Sequence, residues 1–289
     1  MNNVINSVGI IGKTNDPIIN NTLPRLVDYL QGKDVKIIVN EAAAKLLTCS
    51  TVTPGDFNDI GTLCDIAIVV GGDGSFLTAA RNLVDYEIPL IGVNEGRLGF
   101  LVDILPDNLF ERLDEIFNGN FKIEERSLLH AELFRDGKRI SESNAFNDVI
   151  LHKWNTVRMI EFDTYINDQF VNSQRSDGLI ISTPTGSTAY ALSGGGPLIH
   201  PSMDAILLVP ICPHTLSNRP IVVNGESTIV LDIQECFYDH AQMACDGQIS
   251  IALHDHDKIV ITKKNKTLRL IHPADHNHFE ILRAKLGWG

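Results

Sequence analysis

The chain of 289 residues has no Cys-x-x-Cys, no His-Glu-x-x-His and no Cys/His zinc spacing, which removes the common zinc modules and zinc peptidases. Its five cysteines stand at 49, 64, 212, 236 and 245. An odd number without paired spacing argues against a disulfide framework and for reduced thiols, mostly small buried hydrophobes. No apolar run is long enough to cross a bilayer, and Met1-Asn2-Asn3-Val4 lacks a basic-then-apolar leader, so the expected location is the cytoplasm. Basic residues are few: 24 Lys and Arg against 36 Asp and Glu give a formal charge of −12. That balance argues against nucleic acid or an anionic membrane as partner. A small anionic ligand stays open, because a few arginines, backbone N–H groups and a divalent metal can neutralise it locally. Also missing are Gly-x-Gly-x-x-Gly and Gly-Lys-Ser/Thr, so neither the dinucleotide fingerprint nor a Walker loop is present.

What is present starts at residue 66. The β-branched run Ile66–Val70 ends in Gly71-Gly72-Asp73-Gly74, and reads as a buried parallel strand. Phe76, Ala79, Ala80 and Leu83 then recur at helical spacing. One carboxylate, Asp73, therefore sits in a glycine-rich turn between a strand end and a helix start, where open α/β sheets bind ligands. Glycines let a backbone approach a phosphate, and a helix N-terminus attracts the anion. Taken alone, the loop is equally well a tight turn with Asp73 as helix cap.

The length allows two domains. Strands at Ser7–Gly12, 35–39, Ile66–Val70 and 89–93 alternate with helices at 17–30, 41–47 and Leu109–Phe117. Pro24 interrupts the first helix or marks a late start. Such alternation predicts a mostly parallel sheet covered on both faces. After residue 121 short strands take over, at 127–135, 145–152, 158–166, 169–172, Gly178–Ser182, 206–209, 228–233, 243–245, Ile249–Leu253 and 258–262. Asp136-Gly137 and Asn167-Asp168 mark turns. This half reads as an all-β sandwich. The expected division is an α/β domain over 1–122, a β-sandwich over 123–272, and a segment 273–289 that returns to the first domain.

The run Thr183-Pro184-Thr185-Gly186-Ser187-Thr188-Ala189-Tyr190, continued by Ala191-Leu192-Ser193-Gly194-Gly195-Gly196-Pro197, carries five Ser and Thr hydroxyls and four glycines. Ordering such a loop costs conformational entropy and buries little apolar surface, which a cradle of donors for a ligand would explain. Asn147-Asp148 is an unusual polar pair for a strand, and residues 173–178 form a second polar cluster. The stretches 254–257 and 272–278 are rich in histidine and carboxylate, but the first reads as an exposed hairpin and neither has metal-ligand spacing.

In combination these segments are far more specific. Gly71-Gly72-Asp73-Gly74, Asn94-x-Gly96-x-Leu98-Gly99-Phe100-Leu101, Asn147-Asp148, Asp177-Gly178, the 183–197 run, Pro210-x-x-Pro213-His214, Cys245-Asp246-Gly247-Gln248 and Lys285-Leu286-Gly287-Trp288 occur in this order. The chain closely resembles the NAD kinases, the bacterial ATP-dependent type in particular, nearly end to end. The first loop alone is shared with diacylglycerol, sphingosine and phosphofructokinases.

The resemblance implies phosphorylation of the adenosine-ribose 2′-hydroxyl of NAD by ATP with Mg²⁺ or another divalent cation. It implies a homo-oligomer, often a tetramer, whose NAD site borrows residues from a neighbouring subunit. Asp73 matches the catalytic acid, with Gly74 beside it. Asn147 and Asp148 match residues that hold the adenosine half of NAD. Asp177, Thr185, Thr188, Ala189, Tyr190, Ala191, Leu192 and Ser193 match further NAD contacts. Arg158, Arg175 and Gln248 occupy positions lining the site, and arginine at 175 resembles the type selective for NAD over NADH. In such a transfer Asp73 would accept a hydrogen bond from the hydroxyl and take its proton late, since a loose transition state asks little of the base. The rival readings are a lipid kinase, for which the acidic chain lacks a basic amphipathic helix, and a non-catalytic nucleotide sensor, which needs no acid at 73.

Overall fold

The computed structural model describes residues 5–13, 19–47, 51–94, 99–235 and 241–288. Gly96 and Leu98 of the family pattern, with Cys49 and Cys236, lie outside the described residues. The chain divides into one unit of Met1–Glu125 with Thr267–Gly289, and a second of Arg126–Lys266.

The first unit is built on a seven-stranded sheet in the order Thr53–Gly55, Lys36–Asn40, Ser7–Gly12, Ile66–Val70, Leu90–Val93, Leu268–Pro273, Phe121–Arg126. The first six pair in parallel. All five residues of Ile66–Val70 are buried, as a central strand with helices on both faces requires. Helix Ile19–Gln31 adds Leu23, Leu26, Val27 and Leu30 to the core formed with Val8, Ile10, Ile37 and Ile68. Pro24 lies inside this helix rather than ending it; the buried face offsets the one backbone bond proline removes. Helix Phe57–Leu63 starts in a capping box between Asp56 and Asp59.

The return of the chain begins at Thr267, earlier than residue 273. The strand Leu268–Pro273 belongs to the first sheet, where Leu270 pairs with Leu90. Helix His278–Leu286 follows, capped by the Asn277 side chain, which accepts from the Phe279 N–H.

The second unit holds two six-stranded sheets, with antiparallel pairing throughout the described ladders. Their inner faces share one core, which includes Leu129, Leu133, Val149, Leu151, Phe162, Ile181, Leu231, Met243 and Ile261. Alternation explains the pattern: inward Val149 and Leu151 flank Ile150, which joins a smaller cluster on the opposite face with Ile180, Leu207, Val209 and Ala191. The loop and short helices after Gly178–Ser182 cover that outer face.

The hairpin expected at 254–257 is not wholly exposed. Asp257 is fully buried, pairs with Arg135 through contacts of 2.8 and 2.7 Å, and accepts from the His254 N–H at 2.9 Å. The bidentate arginine makes that burial tolerable.

Candidate active site

In the first unit, helix Asp73–Leu83 opens directly on Asp73 after the Gly72 cap. Both carboxylate oxygens are held by backbone donors: Phe100 N–H gives to Oδ2 and Leu101 N–H to Oδ1, each at 3.2 Å. The place of Gly99 follows from this. A Cβ there would stand 2.3 Å from Asp73 Oδ1 and 2.5 Å from Val102 Cγ2, so only glycine lets the carboxylate sit where it does. Gly74, next in the helix, is exposed. The arrangement is a half-buried carboxylate fixed from behind at a helix N-terminus.

In the second unit, Asn147 and Asp148 do not lie within one strand. They form the step from strand Lys138–Ala145 in one sheet to Asp148–Lys153 in the other. Asp246 pins the step: its carboxylate accepts from the N–H groups of Phe146 at 3.0 Å, Asn147 at 2.7 Å and Asp148 at 3.2 Å. The Asn147 carbonyl is pinned from the other side by Thr183 N–H at 2.9 Å. Sequence reasoning does not single out Asp246 as a site residue. Its signal is the Asp246-Gly247 dipeptide, which takes positive φ at both positions, 51° and 63°.

The hydroxyl-rich loop is not the open donor cradle expected. Thr183 Oγ1 donates to the Phe146 carbonyl at 2.7 Å, and Ser187 Oγ donates to the Pro184 carbonyl at 2.6 Å while accepting from Ile199 N–H at 2.9 Å. Thr185 Oγ1 accepts from Arg126 at 3.1 Å and is buried. These hydroxyls satisfy a buried loop that has no regular ladder. Exposure returns from Thr188 onward, along Thr188, Ala189, Tyr190, Leu192, Ser193, Gly194 and Gly195, whereas Ala191 packs inward.

Tyr190 edges a hollow of about 670 Å³ on the outer face of this sheet, together with Asp177, Lys153, Trp154, Gln242 and Gly247. Asp177 pairs with Lys153 at 2.7 Å. Trp154 and Tyr190 are 53 % and 45 % exposed, aromatic faces of the kind that stack on ligand rings. Gln248 follows Gly247 in the turn and is exposed. Arg158 and Arg175 do not line the hollow. Arg158 is exposed, its N–H held by Thr156 Oγ1. Arg175 is exposed on strand Gln169–Ser176 of the other sheet, 3.6 Å from Glu161.

Burial, and then the Asp246 charge, push the Asp148 carboxyl up to about 7. An ordinary aspartate near 3.8 in the unfolded chain loses its proton first. The folded state therefore binds more protons between about pH 4 and 7, and stability falls as pH rises through that window. Asp148→Asn removes this linkage. Its Tm relative to the parent chain is expected to rise between about pH 4 and 7, and a constant difference would contradict the assignment.

Comparison with known proteins gives both units a family. Residues 8–121 match the ATP-NAD kinase N-terminal domain family, and residues 146–273 the ATP-NAD kinase C-terminal domain family. The NAD kinase of Chromohalobacter salexigens is 49 % identical over 282 residues, 98 % of this chain and 96 % of that one. Yeast NADH kinase, crystallised with NADH, superposes with a TM-score of 0.90 at 25 % identity, covering 99 % of this chain and 89 % of the other. An NAD kinase from Archaeoglobus fulgidus in complex with ATP shares the fold, with a TM-score of 0.74 at 24 % identity over 96 % and 99 % of the two chains.

Proposed function

The chain belongs to the ATP-NAD kinase family, and from that premise we propose how its residues divide the work. It transfers the γ-phosphoryl group of ATP to the 2′-hydroxyl of the adenosine ribose of NAD, making NADP. The match across both units does not favour a lipid kinase or a nucleotide sensor.

Asp73 accepts the hydrogen bond of the 2′-hydroxyl, aligns its oxygen on the γ-phosphorus and takes the proton late in the transfer. The observation that carries this reading is the fixed carboxylate, both oxygens already met by the Phe100 and Leu101 N–H groups. Such preorganisation leaves no reorganisation to be made at the moment of reaction. The exposed N-terminus of the helix, including Gly74, faces the phosphates. ATP enters as its complex with Mg²⁺ or another divalent cation, which neutralises phosphate charge in a chain that has no Walker lysine. The half-buried Asp73 carboxylate is a hard oxygen group of the kind such a cation accepts, directly or through its water.

Asn147 and Asp148, held by Asp246, receive the adenosine half of NAD. Tyr190 lies against a ring, and Thr188, Ala189, Leu192, Ser193, Asp177 and Gln248 complete the contacts. Thr185 and Ala191 act from below, as supports of that surface. The family resemblance supports an assembly of identical subunits, a tetramer, in which a neighbour completes the NAD site beside the exposed Tyr190 and Trp154. Sedimentation as a monomer at assay concentration would remove that part. No helix among the described residues is long and apolar enough to cross a membrane, and the cysteine pattern supports the cytoplasm as its compartment.

The test of the whole reading is NADP formation that stops with EDTA and returns with Mg²⁺. Selectivity has its own test. Arg175→Gly is expected to raise kcat/KM for NADH relative to NAD, as the resemblance at that position implies. An unchanged ratio would contradict the role of Arg175.

A further inference from the structure

The histidine-rich stretch 272–278 has no part in the chemistry so far. In the first unit, strand Leu268–Pro273 and the turn after it bring His272 and His276 to Asp103, 169 and 173 residues away. His272 Nδ1 and His276 Nδ1 lie 2.8 and 2.7 Å from the same carboxylate oxygen. Their rings stack with centroids 3.9 Å apart. The side chains of Asp103, His272 and His276 are 10, 3 and 11 % exposed. Glu124 stands 3.4 Å from His272 Nε2, so that ring meets a carboxylate at each nitrogen. Burial pushes the Asp103 carboxyl up, but the hydrogen bonds from the two imidazoles outweigh it and hold it down at about 2.

Asp103 lies on a short segment with one other duty. Ile104 bridges to Val93, Asn94 N–H donates to the Ile104 carbonyl at 2.8 Å, and the Asn94 side chain donates to the Val102 carbonyl at 3.2 Å. Two residues before Asp103 is Leu101, whose N–H, with that of Phe100, holds the Asp73 carboxylate. Those bonds, at 3.2 Å, are at the long end of the ordinary range, so a shift of a few tenths of an ångström weakens both.

We propose that His272 and His276 are positioning residues for the phosphoryl transfer: by holding Asp103 they fix segment 99–104, whose N–H groups aim the Asp73 carboxylate. The inference rests on the proposed role of Asp73. It gives the returning C-terminal segment a task in the reaction, carried out through Asp103 without contact with substrate.

Steady-state kinetics on the full chain test it. His276→Ala is expected to lower kcat by about 10- to 100-fold, the scale for a misplaced reacting group, with the KM values for ATP and NAD unchanged. His276→Asn, whose amide N–H stands near the Nδ1 position, is expected to recover most of the loss. On an Asp73→Asn background, His276→Ala is expected to cost nothing further, because its effect runs through a carboxylate already gone. Losses that add in the double variant, or a KM that rises in step with a falling kcat, would overturn the proposal. If His276→Ala fails to fold, His276→Phe, which keeps a ring beside His272 and removes the Nδ1 donor, takes its place in the same cycle. A transition metal that copurifies stoichiometrically with the parent chain and is absent from His276→Asn would also overturn it, since the three side chains would then be metal ligands. Full turnover by Asp73→Asn alone would instead remove the reading of Asp73 beneath it.

Discussion

Asp73→Asn is expected to lower turnover by about 10²- to 10⁴-fold, the range for loss of a positioned general base, while leaving ATP and NAD binding intact. The substitution keeps the shape of the side chain but turns one acceptor oxygen into a donor. Phe100 and Leu101 each give an N–H to this group at 3.2 Å, so one of those donors loses its acceptor. The site is half-buried, and the loss is worth about 1 kcal/mol of stability, enough to lower Tm by a few degrees without unfolding the chain. Calorimetric titration with NAD and single-turnover kinetics separate the two effects. A folded variant that binds NAD normally and turns over at the parent rate would end the catalytic assignment.

The second large effect is expected at Gly186. A Cβ there would stand 2.1 Å from the Asn147 carbonyl oxygen and 2.6 Å from Ser182 Oγ. The nearer obstruction is backbone, so the loop cannot yield by turning a side chain. That carbonyl also accepts from Thr183 N–H at 2.9 Å. Gly186→Ala must push the loop away from the Asn147 step, at about 1–3 kcal/mol for overpacking. Because the displaced residue is Asn147, KM for NAD should rise together with a fall in Tm, whereas KM for ATP should hold. Loss of stability with an unchanged KM for NAD would mean that Asn147 does not touch the dinucleotide.

These two sites differ in how plainly the chain announces them. Ile66–Val70 and the helix from Asp73 are readable because an unbroken β-branched run and a 3.6-residue period are local signals. So is the change of texture near residue 121. Thr53–Gly55 is not readable: a Thr-Pro-Gly edge strand has neither length nor alternation. Leu268–Pro273 resembles the strands just before it, and only its pairing with Leu90, far back in the chain, assigns it to the first sheet. The same holds for the interior of the site. The family pattern names Asp73 and Asn147-Asp148, but nothing local shows that Phe100, Leu101 and Asp246 hold them in place. The hydroxyls of 183–187 are legible as an anomaly but not in their cause, since a buried loop that satisfies itself and a loop that waits for a ligand have the same composition. Arg158 and Arg175 carry the reverse lesson: they match family positions, yet lie off the hollow that Tyr190 and Asp177 share.

The decisive assay is the conversion of NAD by the purified chain with ATP and Mg²⁺, read through a dehydrogenase that accepts only NADP. NADP is expected in proportion to ATP consumed, with none in EDTA and almost none from Asp73→Asn. ATP turnover without NADP, from folded protein, would contradict the assignment, because the phosphoryl group would then be going to water or to a different hydroxyl.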